Sequence, residues 1–191
     1  MFARMCWLAL CLALTGCAQN AQVITMRPIA QANNANDLGK GNTVSVKVSD
    51  TRPSKIVGRR GDAEHSDALI TVGQDFMLPL AQQIVDGLKQ YGFKPDTGAS
   101  NNSRTLTVDV KSLEYVAQSP WLGVKLRIRA ALRAVANNNG SIQESSYTVE
   151  NESWSAFPPS EQENERLIND ALSKGLERVI NDRELLLSLG R

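Results

Sequence analysis

The chain has 191 residues, 42% of them hydrophobic and 21% charged, which suits one domain with a real core. Its formal net charge of +1, from 21 Lys and Arg against 20 Asp and Glu, argues against a nucleic-acid or polyanion binder. There is one histidine, His65. Of the three cysteines, Cys6 and Cys11 fall in the leading 16 residues and Cys17 is read below as acylated, so no free thiol is left for a zinc site and no metal and no cofactor is expected.

Residues 1–16 have the three parts of an export signal. Arg4 is the charge of the leading region, Met5 to Leu14 is apolar, and small Thr15 and Gly16 precede Cys17. The apolar run is shorter than the roughly 20 residues that a membrane-spanning helix needs. A plain signal would end in an Ala-x-Ala-like site. Leu14-Thr15-Gly16-Cys17 reads instead as a lipobox, with Leu14, Thr15 and Gly16 recognised by the peptidase and Cys17 acylated. Ala18 follows, where an aspartate would mark retention at the inner membrane, so the expected site is the outer membrane, facing the periplasm. One acyl chain anchors only marginally, at about 0.8 kcal/mol per buried CH₂, and stable anchoring takes two or more. A lipidated cysteine of this type carries three. Removal of the signal takes Arg4, Cys6 and Cys11 with it, leaving balanced charge and a single cysteine, so no internal disulfide is expected.

Residues 18–42 are rich in Ala, Gln and Asn and read as a flexible tether, with a reach of roughly 25–30 Å. Val23, Ile24 and Met26 form a small apolar patch within it that is a candidate short strand. The domain is expected over 43–191. Thr43–Ser49 alternates Val44, Val46 and Val48 against Ser45 and Lys47, the pattern of a half-buried strand. Asp50-Thr51-Arg52-Pro53 ends it, and a polar loop runs to Asp67 before a short strand at Ala68–Val72.

Asp75, or a residue near it, is the expected cap of a helix reaching Tyr91. Phe76, Leu80, Ile84, Leu88 and Tyr91 fall on one face, with Val85 beside them. Pro79 is tolerable only in a first turn, Gly92 is the expected left-handed end, and Pro95 follows. Thr105–Val110 alternates again; Leu113 and Tyr115 fall on the other parity, which predicts a bulge near Lys111–Ser112.

From Leu122 to Ala136 the even positions are apolar and the odd ones carry Lys125, Arg127, Arg129 and Arg133. Asn137-Asn138-Asn139-Gly140 is a hairpin turn. The register it suggests sets Arg133 against Glu144, Arg127 against Glu150 and Lys125 against Glu152, with Ile128 against Val149 and Ala130 against Tyr147. Arg129 then faces Thr148 and lacks an acidic partner. Ser160-x-x-Glu163 is a capping box for a last long helix lined by Leu167, Ile168, Ala171, Leu172, Leu176, Val179 and Ile180. Asp182 caps a short terminal turn carrying Leu185, Leu186, Leu187 and Leu189, which either packs on the core or docks a partner. The expected fold is α+β: two main helices on one face of a mostly antiparallel sheet of about four to five strands, the other face wet.

No constellation of catalytic residues emerges: no nucleophile elbow, phosphate-binding glycine loop or paired carboxylates at fixed spacing. Asp50, Arg52 and His65 read as surface loop residues, and the basic stripe as a solvated ion-pair face. Trp121, Trp154 and Phe157 flank the open end of the hairpin; they form either an exposed patch or the edge of the core under the last helix, and the edge of the core is the commoner outcome. Together with Arg129 they are the candidate interaction surface.

The lipobox at Cys17, the strand running into Asp50-x-Arg52, the Gln74-Asp75 helix start and the Tyr91-Gly92-Phe93 helix end are four matching features. With the long hairpin and Asp182-x-Glu184-Leu185 in the C-terminal helix, they make the chain resemble the YajG-like lipoproteins of Gram-negative bacteria. The resemblance implies an outer-membrane or periplasmic lipoprotein without an established activity, and carries over no functional residue beyond Cys17. The expectation is a non-enzymatic interaction or accessory module serving an envelope protein partner; the alternative is a binder of an acyl chain or other amphiphile.

Overall fold

The framework of the protein, in a computed structural model, is a three-stranded ribbon: β6 (Arg104–Gln118), β7 (Val124–Asn138) and β8 (Ser141–Ser155), each 15 residues long. The structure describes residues 20–33, 36–61, 67–73, 75–98 and 102–191; Leu14, Thr15, Gly16, Cys17, Asp62, Glu64, His65 and Gln74 lie outside them. At about 3.3 Å per residue each ribbon strand is roughly 50 Å long. β7 and β8 join through Asn139-Gly140, whose φ angles of 52° and 90° are those of a type I′ turn. That turn pairs Asn138 with Ser141 and places every later pair two residues away from the expected register. Arg133 faces Ser146, Ile128 faces Asn151, Ala130 faces Val149 and Leu132 faces Tyr147. A shift of two keeps each side chain on its expected face. Val124, Leu126, Ile128, Ala130, Leu132, Ala134 and Ala136 are accordingly all buried.

β6 carries the expected bulge, between Val110 and Ser112, which moves the core-facing parity from Leu106, Val108 and Val110 to Leu113, Tyr115 and Ala117. Its second edge is shared. β2 (Thr43–Asp50) lies parallel to the first half, and β3 (Ile56–Arg59) lies parallel beside Tyr115. β4 (Leu69–Val72) and β1 (Gln22–Ile24) continue the sheet beyond β3, and β5 (Lys94–Asp96) lies beyond β2. The sheet is therefore mixed and eight-stranded, larger and less antiparallel than expected. Two causes are plain: a helix lies between β2 and β6, which makes their pairing parallel, and the added strands are three or four residues long. β5 even contains Pro95, allowed because β5 is an edge strand.

Three helices, one more than expected, cover one face. α1 (Met77–Gln90) buries Leu80, Ile84, Val85 and Leu88, and Pro79 sits in its first turn. Asp75 does not cap it: the N-cap position is Phe76, without a side-chain capping bond. α2 (Glu161–Ile180) starts at Ser160, whose hydroxyl accepts from the Glu163 N–H at 3.2 Å; the Glu163 carboxylate turns to Arg166, 2.6 Å away. α3 (Arg183–Gly190) is capped by Asp182, and Leu185, Leu186 and Leu189 are fully buried, so the terminal leucines pack on the core.

The expected tether is where the structure departs furthest from composition. From Gln22 to Ala30 burial alternates: Gln22, Ile24, Met26, Pro28 and Ala30 inward, Val23, Thr25, Arg27 and Ile29 outward. After β1 the chain runs as an extended strap along α2. The backbone N–H groups of Thr25, Arg27, Ile29 and Asn33 donate to Glu165 (3.0 Å), Asn169 (2.6 Å), Ser173 (2.9 Å) and Asn181 (2.8 Å). Four helical residues rise about 6 Å and two extended residues about 6.6 Å, so a polar stripe at i, i+4 spacing meets every second strap amide. α1 joins in through Gln83, which accepts from the Ala30 N–H. Residues 22–33 thus belong to the folded domain.

Candidate functional site

Trp121 and Leu122 occupy the β6–β7 turn, Trp154 is the penultimate residue of β8, and Phe157 lies in the link to α2. All four face solvent, at 98%, 65%, 60% and 77% exposure respectively, so the aromatic cluster is an exposed patch and not the edge of the core. Gly123 lets the Trp154 indole lie against the β6–β7 turn. It has φ 77°, and a side chain there would collide with the Trp154 indole, which lies against its backbone. Large apolar residues elsewhere on the surface, such as Ile142 and Leu78, are scattered along the sequence.

The open sheet face beside the patch is charged and internally matched. Arg129 lies in register between Glu114 on β6 and Glu150 on β8, so it has carboxylates on both sides, contrary to the expected pairing with Thr148. Lys125 reaches Glu152 at 3.1 Å, although the residue directly opposite it is Trp154. Arg133 grips Glu144 with two 2.6 Å hydrogen bonds and also approaches Asp109 at 3.4 Å. The Glu144 hydrogen bond raises the pKa of Arg133 above its ordinary value, and the Arg133 hydrogen bond lowers that of Glu144. Two of the three expected ion pairs, Arg133–Glu144 and Lys125–Glu152, therefore form, diagonally, while Arg127 lies opposite Glu152 instead of Glu150. The stripe is a solvated ladder whose charges are largely answered.

Asp50 and Arg52 are a structural pair, not loop decoration. Arg52 is 3% exposed, donates to both Asp50 oxygens at 2.8 and 2.9 Å, and stacks 4.9 Å over the Phe76 ring at the start of α1. The Arg52 hydrogen bond holds the Asp50 carboxyl below the usual carboxylate range.

The grooves of the surface are open and mixed in character. One, about 500 Å³, lies between the strap, α2 and β8 and is lined by Asn33, Tyr147, Lys174, Glu177, Arg178, Asn181 and Asp182. Among the described residues no cluster of His, Cys, Asp or Glu could hold a metal ion, and no helix is long and apolar enough to cross a membrane.

Fold and surface together define a class: a small α+β domain with its helices on one face of a mixed sheet and an aromatic cluster at one end. Residues 28–189 match a family of uncharacterized lipoproteins, and the chain belongs to that family, the YajG-like lipoproteins. No curated protein matches it in sequence. In fold it is similar to a crystal structure from Xanthomonas campestris of the DUF330 family, at TM-score 0.59 and 14% identity, covering 84% of this chain and 93% of that one. A second crystal structure, of an uncharacterized protein, aligns at TM-score 0.51 and 10% identity over 84% of this chain and 97% of that one.

Proposed function

We propose that this chain is an outer-membrane lipoprotein, anchored through lipid on Cys17 and facing the periplasm, that works as a non-enzymatic interaction module for an envelope protein partner. The family is one of lipoproteins, and the lipobox supplies the anchor. The observation that carries the reading is the filled interior, packed by fully buried side chains such as Ile70, Leu88, Leu126, Ile128, Ile168 and Leu172, which leaves the surfaces to act. A binder of acyl chains needs an apolar cavity of a few hundred Å³ that encloses most of its ligand. The groove between the strap, α2 and β8 is instead open and edged with Lys174, Glu177, Arg178 and Asp182.

Capture of the acylated protein from membranes, followed by identification of what co-purifies, tests this reading. A stoichiometric envelope protein is the expected result; bound lipid in the domain and no protein partner would overturn it. The anchor is tested on its own by Cys17→Ser, which should leave the precursor unprocessed and unacylated.

A further inference from the structure

We infer that the aromatic end of the domain is its membrane-facing surface, with Trp121, Leu122, Trp154 and Phe157 seated in the headgroup zone of the leaflet that holds the lipid on Cys17. This rests on the proposed acylation of Cys17 and adds an orientation to it.

The first step is where the chain leaves the domain. The strap is docked, so only four residues, 18–21, separate Cys17 from the start of β1. Gln22 is held from both sides of its amide: it donates to the Glu161 carbonyl at 2.7 Å and accepts from Asn164 at 3.1 Å. Arg60 then takes the Asn20 carbonyl at 3.2 Å while pairing with the Glu161 carboxylate at 2.7 Å. Cys17 is three residues before Asn20, and three extended residues reach at most about 10 Å. A 25-residue leash would let the domain tumble; one of a few residues keeps its exit point against the bilayer.

The second step is which end that is. Gln22 pairs with Ile70, Ile70 with Gly58, and Gly58 with Tyr115, so the start of β1 is level with Tyr115. β1 runs parallel to β4, β4 antiparallel to β3, and β3 parallel to β6. Going backwards from Gln22 to Asn20 is therefore going forwards along β6, towards Gln118 and the turn that carries Trp121. Phe157 reaches the same end from the other side, four residues before Glu161, the residue that Gln22 and Arg60 grip. Exit point and aromatic cluster share one end of the domain.

The third step is chemistry. Residues 119–123 and 153–160 contain no charged side chain, so they enter the interface without stripping water from an ion. Tryptophan, with an apolar ring and one N–H donor, is enriched at membrane–water boundaries because both halves are satisfied there. The tether raises the effective concentration of bilayer at this face far above that of any soluble partner. The consequence is a fixed posture. The ribbon stands away from the membrane, with the Asn139-Gly140 turn roughly 50 Å off and the charged sheet face and outer edge of β8 left to a protein partner.

Trp7 departs with the signal, so the two tryptophans of the mature chain both lie in the patch, and fluorescence excited selectively at tryptophan, away from the absorption of Tyr91, Tyr115 and Tyr147, reports on nothing else. The acylated protein is reconstituted into phosphatidylethanolamine–phosphatidylglycerol vesicles. The expected result is emission shifted to shorter wavelength, lost when the lipids are brominated near the headgroup end of the acyl chains, and shielded from acrylamide. Trp121→Phe and Trp154→Phe assign the quenching to each indole. Leu122→Ser with Phe157→Ser, both at exposed positions, should keep the fold and reduce the shift. Protein that floats with the vesicles but keeps both indoles open to acrylamide and unquenched by lipid overturns the orientation and leaves the anchor standing. Mature protein that fails to float overturns the anchor and the orientation together. In native membranes, indoles cross-linked to protein instead of lipid would give the patch to a protein partner and overturn the inference.

Discussion

The Tyr115 hydroxyl donates a 2.7 Å hydrogen bond to Oδ1 of Asn164, tying the central strand β6 to the first turn of α2 inside the core. Burial pushes the Tyr115 phenol up to about 12, so it is a neutral donor at any physiological pH. Asn164 passes the connection on, donating through Nδ2 to Gln22. The three side chains thus weld sheet, helix and the N-terminal strand at the end where the chain emerges.

Asn164→Ala should be among the most damaging single changes in the protein. It strands the Tyr115 hydroxyl and the Gln22 carbonyl together, and each unsatisfied buried group costs about 1–3 kcal/mol. Tyr115→Phe removes one bond and should cost about 1–2 kcal/mol. The double variant should fall short of the sum by at least about 1 kcal/mol, because both changes delete the same contact. Urea denaturation of the four proteins measures it; strict additivity would refute the pairing.

The strap makes a prediction of a different kind. Asn169 accepts from the Arg27 N–H and donates to the Thr25 carbonyl, both at exposed positions. Asn169→Ala should therefore barely move global stability, by about 1 kcal/mol at most. It should open the strap locally: hydrogen exchange at Thr25, Arg27 and Ile29 should accelerate about tenfold, with the β6–β7 amides unchanged. Equal acceleration throughout would mean that the strap is not an independent unit.

Why the strap escaped the sequence is instructive. Its composition is that of a linker, since Ala, Gln and Asn contribute little apolar area. The signal lay in two periods that had to be read together. One is the inward alternation of Gln22, Ile24, Met26, Pro28 and Ala30. The other is the polar run Glu165, Asn169, Ser173 and Asn181 beside the apolar stripe of α2. By contrast, β7, the bulge in β6 and the core faces of α1 and α2 were legible because each buries a regular stripe of large apolar residues. Of the short strands, β1 was legible as the apolar patch around Val23 and Ile24, whereas β3 and β5 were not, being four and three residues long and defined by their neighbours. Trp121, Trp154 and Phe157 lie at the open end of the hairpin, as their spacing in the sequence suggests. Their exposure was not readable, because an aromatic next to a strand end is compatible with either side of the sheet.

The turn residue Gly140 isolates a backbone term. Its φ is 90° and nothing lies within 4 Å of where a Cβ would sit, so Gly140→Ala meets no steric neighbour and only the strain of a left-handed conformation. The expected loss is about 1 kcal/mol. For a domain of this size that is a fall in Tm of about 2–4 °C by calorimetry. No change at all would argue against the type I′ turn, and with it against the two-residue register that places Arg129 between Glu114 and Glu150.

Acid should find the Asp50–Arg52 pair. The Arg52 hydrogen bond lowers the Asp50 pKa in the folded state, so the native form binds the proton less readily than the unfolded chain does. The stability this contributes is complete above the ordinary carboxylate range, near pH 4 in the unfolded chain, and is lost as pH falls through the lowered folded value. Asp182 acts in the same direction. Burial alone would raise it, but hydrogen bonds from Tyr147, Leu185, Ser145 and Glu184 outweigh that and lower it. The Tm should therefore hold level from about pH 7 to 5 and drop below about pH 4. Asp50→Asn removes part of that acid dependence at a cost already present at neutral pH. It leaves a guanidinium that is 3% exposed, and whose Nη1 has no hydrogen-bond partner, without its counter-charge. Breaking such a pair costs about 3–5 kcal/mol when both groups are fully buried; with Asp50 still 26% exposed, the lower end applies. Asp50→Asn combined with Arg52→Met should recover part of the loss. A single variant as stable as the parent at pH 7, with an unchanged acid transition, would show that the pair does not secure the start of α1.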